Sequence, residues 1–173
     1  MTPIKSIAIL FIASLSISIS RAENTTPKGD AKTSNPSSPK EKSAPYTVHF
    51  FNSNNGSVTV TRTSYTCMYN AGDSQFTMQS YQPKMEILED KNSGLDCWNS
   101  WKAVVWNVSG TVTGNQVTFY HAYESGMLSH WETKITDSSG VVKSALCYTE
   151  DSENGSNCLN KSVEDVVAID ITL

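Results

Sequence analysis

The stretch Trp106 to Tyr123, WNVSGTVTGNQVTFYHAY, constrains the fold of this chain more than any other. Gly114-Asn115 stands between two runs rich in Val, Thr, Phe and Tyr, the signature of a two-residue turn joining antiparallel strands. With those residues as the loop, Val112 faces Val117, Gly110 faces Phe119, Val108 faces His121 and Trp106 faces Tyr123 on one side. Thr111 with Thr118, Ser109 with Tyr120 and Asn107 with Ala122 fill the other. One face is apolar and the other mostly polar, the pattern of a sheet with one wet side. With SGMLS, Ser125 to Ser129, as the next turn, Glu124 faces His130, Tyr123 faces Trp131, His121 faces Thr133 and Phe119 faces Ile135. The apolar face then runs through three strands, and that agreement across two turns supports the register.

Similar alternation recurs along the chain. YTVHFFNS, the turn NNG and SVTVTRT read as a hairpin. SYTCMYN and QFTMQSY read as further strands, and so do GVVKSALCYT and DVVAIDITL. Pro83 to Asp90, PKMEILED, suits either a short helix with Pro in its first turn or an edge strand. Short, regularly spaced strands predict an all-β domain: an antiparallel β-sandwich or small barrel.

The N-terminus reads as an export signal. Lys5 precedes an apolar run from Ile7 to Ile19, and Ser20 and Ala22 occupy the −3 and −1 positions of a small-residue cleavage site. The run is too short for a membrane anchor. A signal peptide over 1–22 is expected, leaving no transmembrane segment after cleavage. Residues 23–45, rich in Pro, Ser, Lys and Thr, contain no large apolar side chain and read as a disordered tether. A single domain is expected over 46–173. It carries seven Lys/Arg against fourteen Asp/Glu, a net charge of −7. That balance disfavours nucleic acid and electrostatic attraction to anionic lipid.

The four cysteines, Cys67, Cys97, Cys147 and Cys158, form an even set in an exported chain and predict two disulfides in a secreted or periplasmic protein. Sequence proximity favours Cys67–Cys97 and Cys147–Cys158. Zinc is disfavoured, since no C-x-x-C occurs and no His lies close to a Cys. No metal or cofactor is expected.

The segment VHFFNSNNGSVTVTRTSYTCMYNAGD resembles the opening of aegerolysins: a strand ending in Asn, a polar turn, a β-rich return and a Gly-containing turn. The resemblance covers about a fifth of the domain. Aegerolysins are small acidic β-sandwich proteins that bind particular membrane lipids, often beside a pore-forming partner. The resemblance therefore implies a secreted surface-binding module. The two disulfides and the Trp-rich segment depart from the family pattern, and no site residue is carried over.

Three of the four Trp fall in DCWNSWKAVVW, Asp96 to Trp106. Alternation assigns Val104 and Trp106 to the core face. It sends Trp101, Ala103 and Val105 to the opposite side, near Tyr120, and leaves Trp98 in the preceding loop. Trp98, Trp101 and Tyr120 are thus either covered by a loop or form an aromatic ledge suited to sugar faces or a membrane interface. Among the histidines, His49 reads as a lone side chain on one face and His121 as a hydrogen-bonded core residue. His130, opposite Glu124 and near Glu132, reads as a solvated cross-strand pair or as an acid–base group. No nucleophile elbow and no H-E-x-x-H occurs, and a glycosidase-type carboxylate pair is invisible to sequence. The acidic loop Glu150 to Asn157 is of the kind calcium favours. It fails the EF-hand pattern, because Lys161 stands where the bidentate Glu belongs. The expectation is an exported binding module or effector recognising a glycan, membrane lipid or protein surface. The alternatives are a secreted hydrolase using Glu124, His130 and Glu132, or a periplasmic inhibitor or structural protein.

Overall fold

The computed structural model describes residues 43–125 and 127–173. The expected signal peptide, and the expected tether up to residue 42, lie outside the described residues. In chain order the strands are β1 (Pro45–Phe51), β2 (Val58–Thr66), β3 (Met68–Ala71), β4 (Gln75–Met78), β5 (Pro83–Asp90) and β6 (Lys102–Gly110). They continue with β7 (Gly114–Glu124), β8 (His130–Thr136), β9 (Ser144–Thr149), β10 (Ser156–Asn157), β11 (Val163–Glu164) and β12 (Val166–Thr172). No helix occurs among the described residues. The strands form two six-stranded sheets, ordered β10-β9-β12-β1-β5-β3 and β11-β8-β7-β6-β2-β4. The sheets pack face to face as a β-sandwich and do not close into a barrel. The pairings between these strands are antiparallel except β1 with β12, and an isolated parallel bridge joins Ile135 to Leu159.

The core comes from inward positions of both sheets. Val48 and Phe50 of β1, Leu88 of β5 and Ile169 and Ile171 of β12 meet Val58, Val60, Val104, Trp106, Phe119 and Ile135 of the other sheet. Phe50 packs edge-on against Trp106, with ring centroids 5.3 Å apart. Both expected disulfides form, Cys67–Cys97 and Cys147–Cys158. The second is buried in the core and closes the β9–β10 hairpin.

Three expectations are corrected. First, β1 and β2 are not a hairpin. They belong to opposite sheets, and residues 52–57 carry the chain across the sandwich. Buried Asn52 holds that crossing: its side-chain amide donates to the carbonyls of Gly56, Met78 and Gln79. The inward residues of the two strands therefore meet across the core rather than side by side. Second, the β6–β7 pairing slips by six residues, so that Trp106 faces Val117 instead of Tyr123. Pairing with β2, Val58 to Gly110 and Val60 to Val108, occupies the end of β6. A bulge with Gln116 at φ 59° is held by its N–H donating to the Asn107 side chain. The loop becomes 111–113, and Gly114 is buried where a Cβ would lie 2.4 Å from Val141 Cγ1. An even slip preserves the faces, so Val104, Trp106, Val117 and Phe119 still point inward. The β7–β8 register has all four expected pairs. Third, β5 is an interior strand between β1 and β3, neither a helix nor an edge. Its alternation is inverted: Glu86, Leu88 and Asp90 point inward while Met85 and Ile87 are exposed.

Candidate functional site

Strand ends define two ends of the sandwich. Lys102 at the start of β6 pairs with His121, and Glu124 at the end of β7 pairs with His130 at the start of β8. Loops 91–101 and 125–129 therefore leave from the same end. The starts of β1 and β12 and the ends of β5 and β9 converge there as well.

Besides backbone hydrogen bonds such as Lys91 N–H to Cys67 O, loop 91–101 is held by three devices. The Cys67–Cys97 disulfide ties it to the β2–β3 junction. The Asn92 side chain accepts from the Asn99 N–H. Lys102, fully buried, donates from Nζ to Asn92 Oδ1 at 3.3 Å, Cys97 O at 3.1 Å and Ser100 O at 2.7 Å. Its three ammonium protons are thus all used, and the ammonium lies 4.3 Å from the Trp131 ring centroid. Burial pulls the Lys102 pKa down.

On this scaffold Trp98 and Trp101 are 50% and 49% exposed. Trp101 stacks on half-buried Tyr120 at 6.3 Å with planes 17° apart, and Lys134 lies over the Tyr120 ring at 4.9 Å. Ala103, on the same outward side, is nevertheless buried. Leu95 of the same loop, and Met127 and Leu128 of the neighbouring one, are almost entirely exposed.

Beside these loops a cavity of about 480 Å³ opens between the sheets. Tyr46, Asp90, His121 and Trp131 line its inner wall, and Glu150, Asp151 and Asp165 are exposed at its rim. His121 shares hydrogen bonds through Nε2 with Tyr46 Oη at 2.9 Å and through Nδ1 with Thr133 Oγ1 at 2.8 Å. It stacks flat on Trp131 at 4.6 Å. Burial, reinforced by the Lys102 charge, drops its pKa to about 3, so the imidazole is neutral at physiological pH. Burial raises the Tyr46 pKa, and it also raises that of Asp90, whose carboxylate accepts from the Ala44 N–H.

His130 and Glu132 lie outside this cavity lining. His130 Nε2 is 3.1 Å from Glu132 Oε1 and 3.5 Å from Glu164 Oε1, on half-exposed side chains. Its Nδ1–H donates to Leu128 O, which with the carboxylates raises its pKa. Glu124 is its cross-strand neighbour and is exposed. His49 pairs with Asp170 at 3.0 Å on the outer face of its sheet. Among the described residues no cluster of His, Cys, Asp and Glu is placed to hold a metal ion.

Sequence reasoning missed Lys102, Asp90 and Tyr46. For Lys102 a signal existed, since alternation puts it on the same inward face as Val104 and Trp106. Asp90 carried none, because an acid at an inward strand position contradicts the usual pattern. The fold and site define a two-disulfide β-sandwich with an aromatic, acidic, loop-bearing end. No family model matches the chain, and neither a curated protein nor a solved structure does. The disulfides fit an oxidising environment. No helix among the described residues is long and apolar enough to cross a membrane.

Proposed function

We propose that the protein is a secreted binding module that docks end-on to a lipid bilayer through loops 91–101 and 125–129. The observation that carries this reading is the clustering of Leu95, Trp98, Trp101, Met127 and Leu128, all exposed, at one end. Aliphatic side chains that project freely suit a deformable phase better than a rigid partner surface. Half-exposed Trp suits the headgroup level, where its ring is apolar and its N–H is wet. Burying Leu95, Met127 and Leu128 is worth about 2 kcal/mol each. The domain charge of −7 favours a zwitterionic surface over an anionic one.

The test is co-sedimentation of the oxidised protein with phosphatidylcholine vesicles, alongside the triple variant Leu95→Ser, Met127→Ser, Leu128→Ser. Binding of the wild type, lowered at least about 100-fold in the variant at unchanged melting temperature, is expected. Absence of vesicle binding, with Trp fluorescence protected instead by a polysaccharide or a protein, overturns the reading.

A further inference from the structure

We propose that the cavity at the loop-bearing end is a binding site for an ammonium group, primary or quaternary. The cavity has the volume of a small-molecule site, and its wall combines the two features that such a cation selects. Tyr46 and Trp131 are its aromatic lining residues, with His121 stacked on the Trp131 ring. Asp90, Glu150, Asp151 and Asp165 supply carboxylates from three separate points of the chain: the end of β5, the two residues after β9 and the residue before β12. No lysine or arginine is among the lining residues.

The remaining groups fit the same ligand. His121 is neutral and already satisfied by Tyr46 and Thr133, so it neither repels a cation nor offers a charge to an anion. Lys102, whose ammonium lies 4.3 Å from the Trp131 ring centroid, has its three protons on loop oxygens. Its charge falls short of balancing the four carboxylates. Asp90 is almost fully buried, and burial penalises its charged form. An incoming cation relieves that penalty, whereas an anion adds to it. The inner wall selects the ligand, and the exposed rim acids draw it in.

The ammonium chemistry stands on the cavity alone. Its source, the amine end of a zwitterionic phospholipid headgroup, rests on the bilayer reading above. The two are separated by titrating the full oxidised protein calorimetrically with choline and with ethanolamine, sorbitol serving as neutral control. Vesicle binding is measured in parallel with phosphatidylcholine and with phosphatidylglycerol, at salt high enough to screen repulsion. The expected result is saturable binding of one or both amines and none of sorbitol. Asp90→Asn should weaken it at least about tenfold. The rim variant Glu150→Gln, Asp151→Asn, Asp165→Asn changes only exposed side chains and should weaken it several-fold, which decides the matter if Asp90→Asn does not fold.

No saturable amine binding by the folded protein, or equal binding by wild type and rim variant, overturns the proposal. Amine binding without vesicle binding keeps the ammonium site and removes the bilayer as its source. Vesicle binding without amine binding keeps the docking and removes this site. Amine binding with equal binding to both vesicle types keeps the site and removes the headgroup as its source.

Discussion

Where the chain crosses from β1 to β2, the buried polar side chain is Asn52. At the opposite end Asp90, Lys102 and His121 are buried together. Asn52 is neutral, and its amide donates to three carbonyls while its oxygen accepts from the Asn54 N–H. Nothing at that site is left to bind. The other end buries groups that would carry charge in water, shifts their pKa values by burial, and opens them to a cavity. Burying ionisable groups is an expensive way to hold a fold together, and such groups cluster at sites that act on something else. The difference teaches that the buried polar group at the Asn52 end serves the fold, and it supports the recognition role proposed for the loop-bearing end.

The largest effect on stability should come from the closed end. Asn52→Ala removes five hydrogen bonds, three donated by the amide and two accepted by its oxygen, a loss of about 3–5 kcal/mol at roughly 1 kcal/mol each. Urea unfolding measures it. Trp98 and Trp101, at the far end, should keep their accessibility to iodide below the transition. A change in their quenching would break the separation between the two ends.

The same contrast explains what the sequence reveals. The β7–β8 register is readable because both strands alternate and the turn between them is short. The β6–β7 register is not, since its bulge at Asn107 and Gln116 depends on β2 taking the end of β6. The crossing after β1 reads as a hairpin because a polar turn looks the same whether the chain returns beside itself or over the core. At the loop-bearing end, Trp98 is placed only as a residue of the preceding loop, and the outward side of Trp101 and Tyr120 follows from alternation along β6 and β7. The cavity does not, because Tyr46, Asp90 and Asp165 reach it from segments far apart in sequence. Inverted β5 hides Asp90 further, for its inward acids defeat the period-two pattern that finds cores.

The intermediate effect is acid sensitivity at the open end. His121 stays neutral in the fold down to about pH 3, while the unfolded chain takes up its proton near its ordinary pKa of 6.5. Its contribution is therefore complete above that pH and is lost as the pH falls, by about 1.4 kcal/mol per unit, or about 2 kcal/mol at pH 5. Asp90 acts in the opposite sense. Its raised pKa means that the fold takes up that proton before the unfolded chain does, which returns some stability as the pH falls. Comparing wild type with His121→Gln separates the two. The variant should lose stability less steeply between pH 6.5 and 5, and identical slopes would remove His121 as the acid-sensitive group.

The smallest stability change, and the sharpest separation of folding from recognition, is expected of Lys102→Met. Met keeps the buried apolar stem and deletes the ammonium. The lost hydrogen bonds to Asn92, Cys97 and Ser100 are offset by the desolvation no longer incurred, so stability should move by less than about 1 kcal/mol. The released loop oxygens can turn to solvent, and loop 91–101 then loses one of its ties while keeping its disulfide, the Asn92–Asn99 bond and its backbone hydrogen bonds, including Lys91 N–H to Cys67 O. Trp98 and Trp101 should become more accessible to iodide, and vesicle binding should weaken about tenfold as the loop loses its fixed geometry. Choline binding should hold or strengthen, because a positive charge has left the Trp131 ring. Opposite movements of the two binding assays at constant stability would make Lys102 the residue that positions the docking loop. A stability loss as large as that of Asn52→Ala would make it a structural group like Asn52, and the contrast between the two ends would fail.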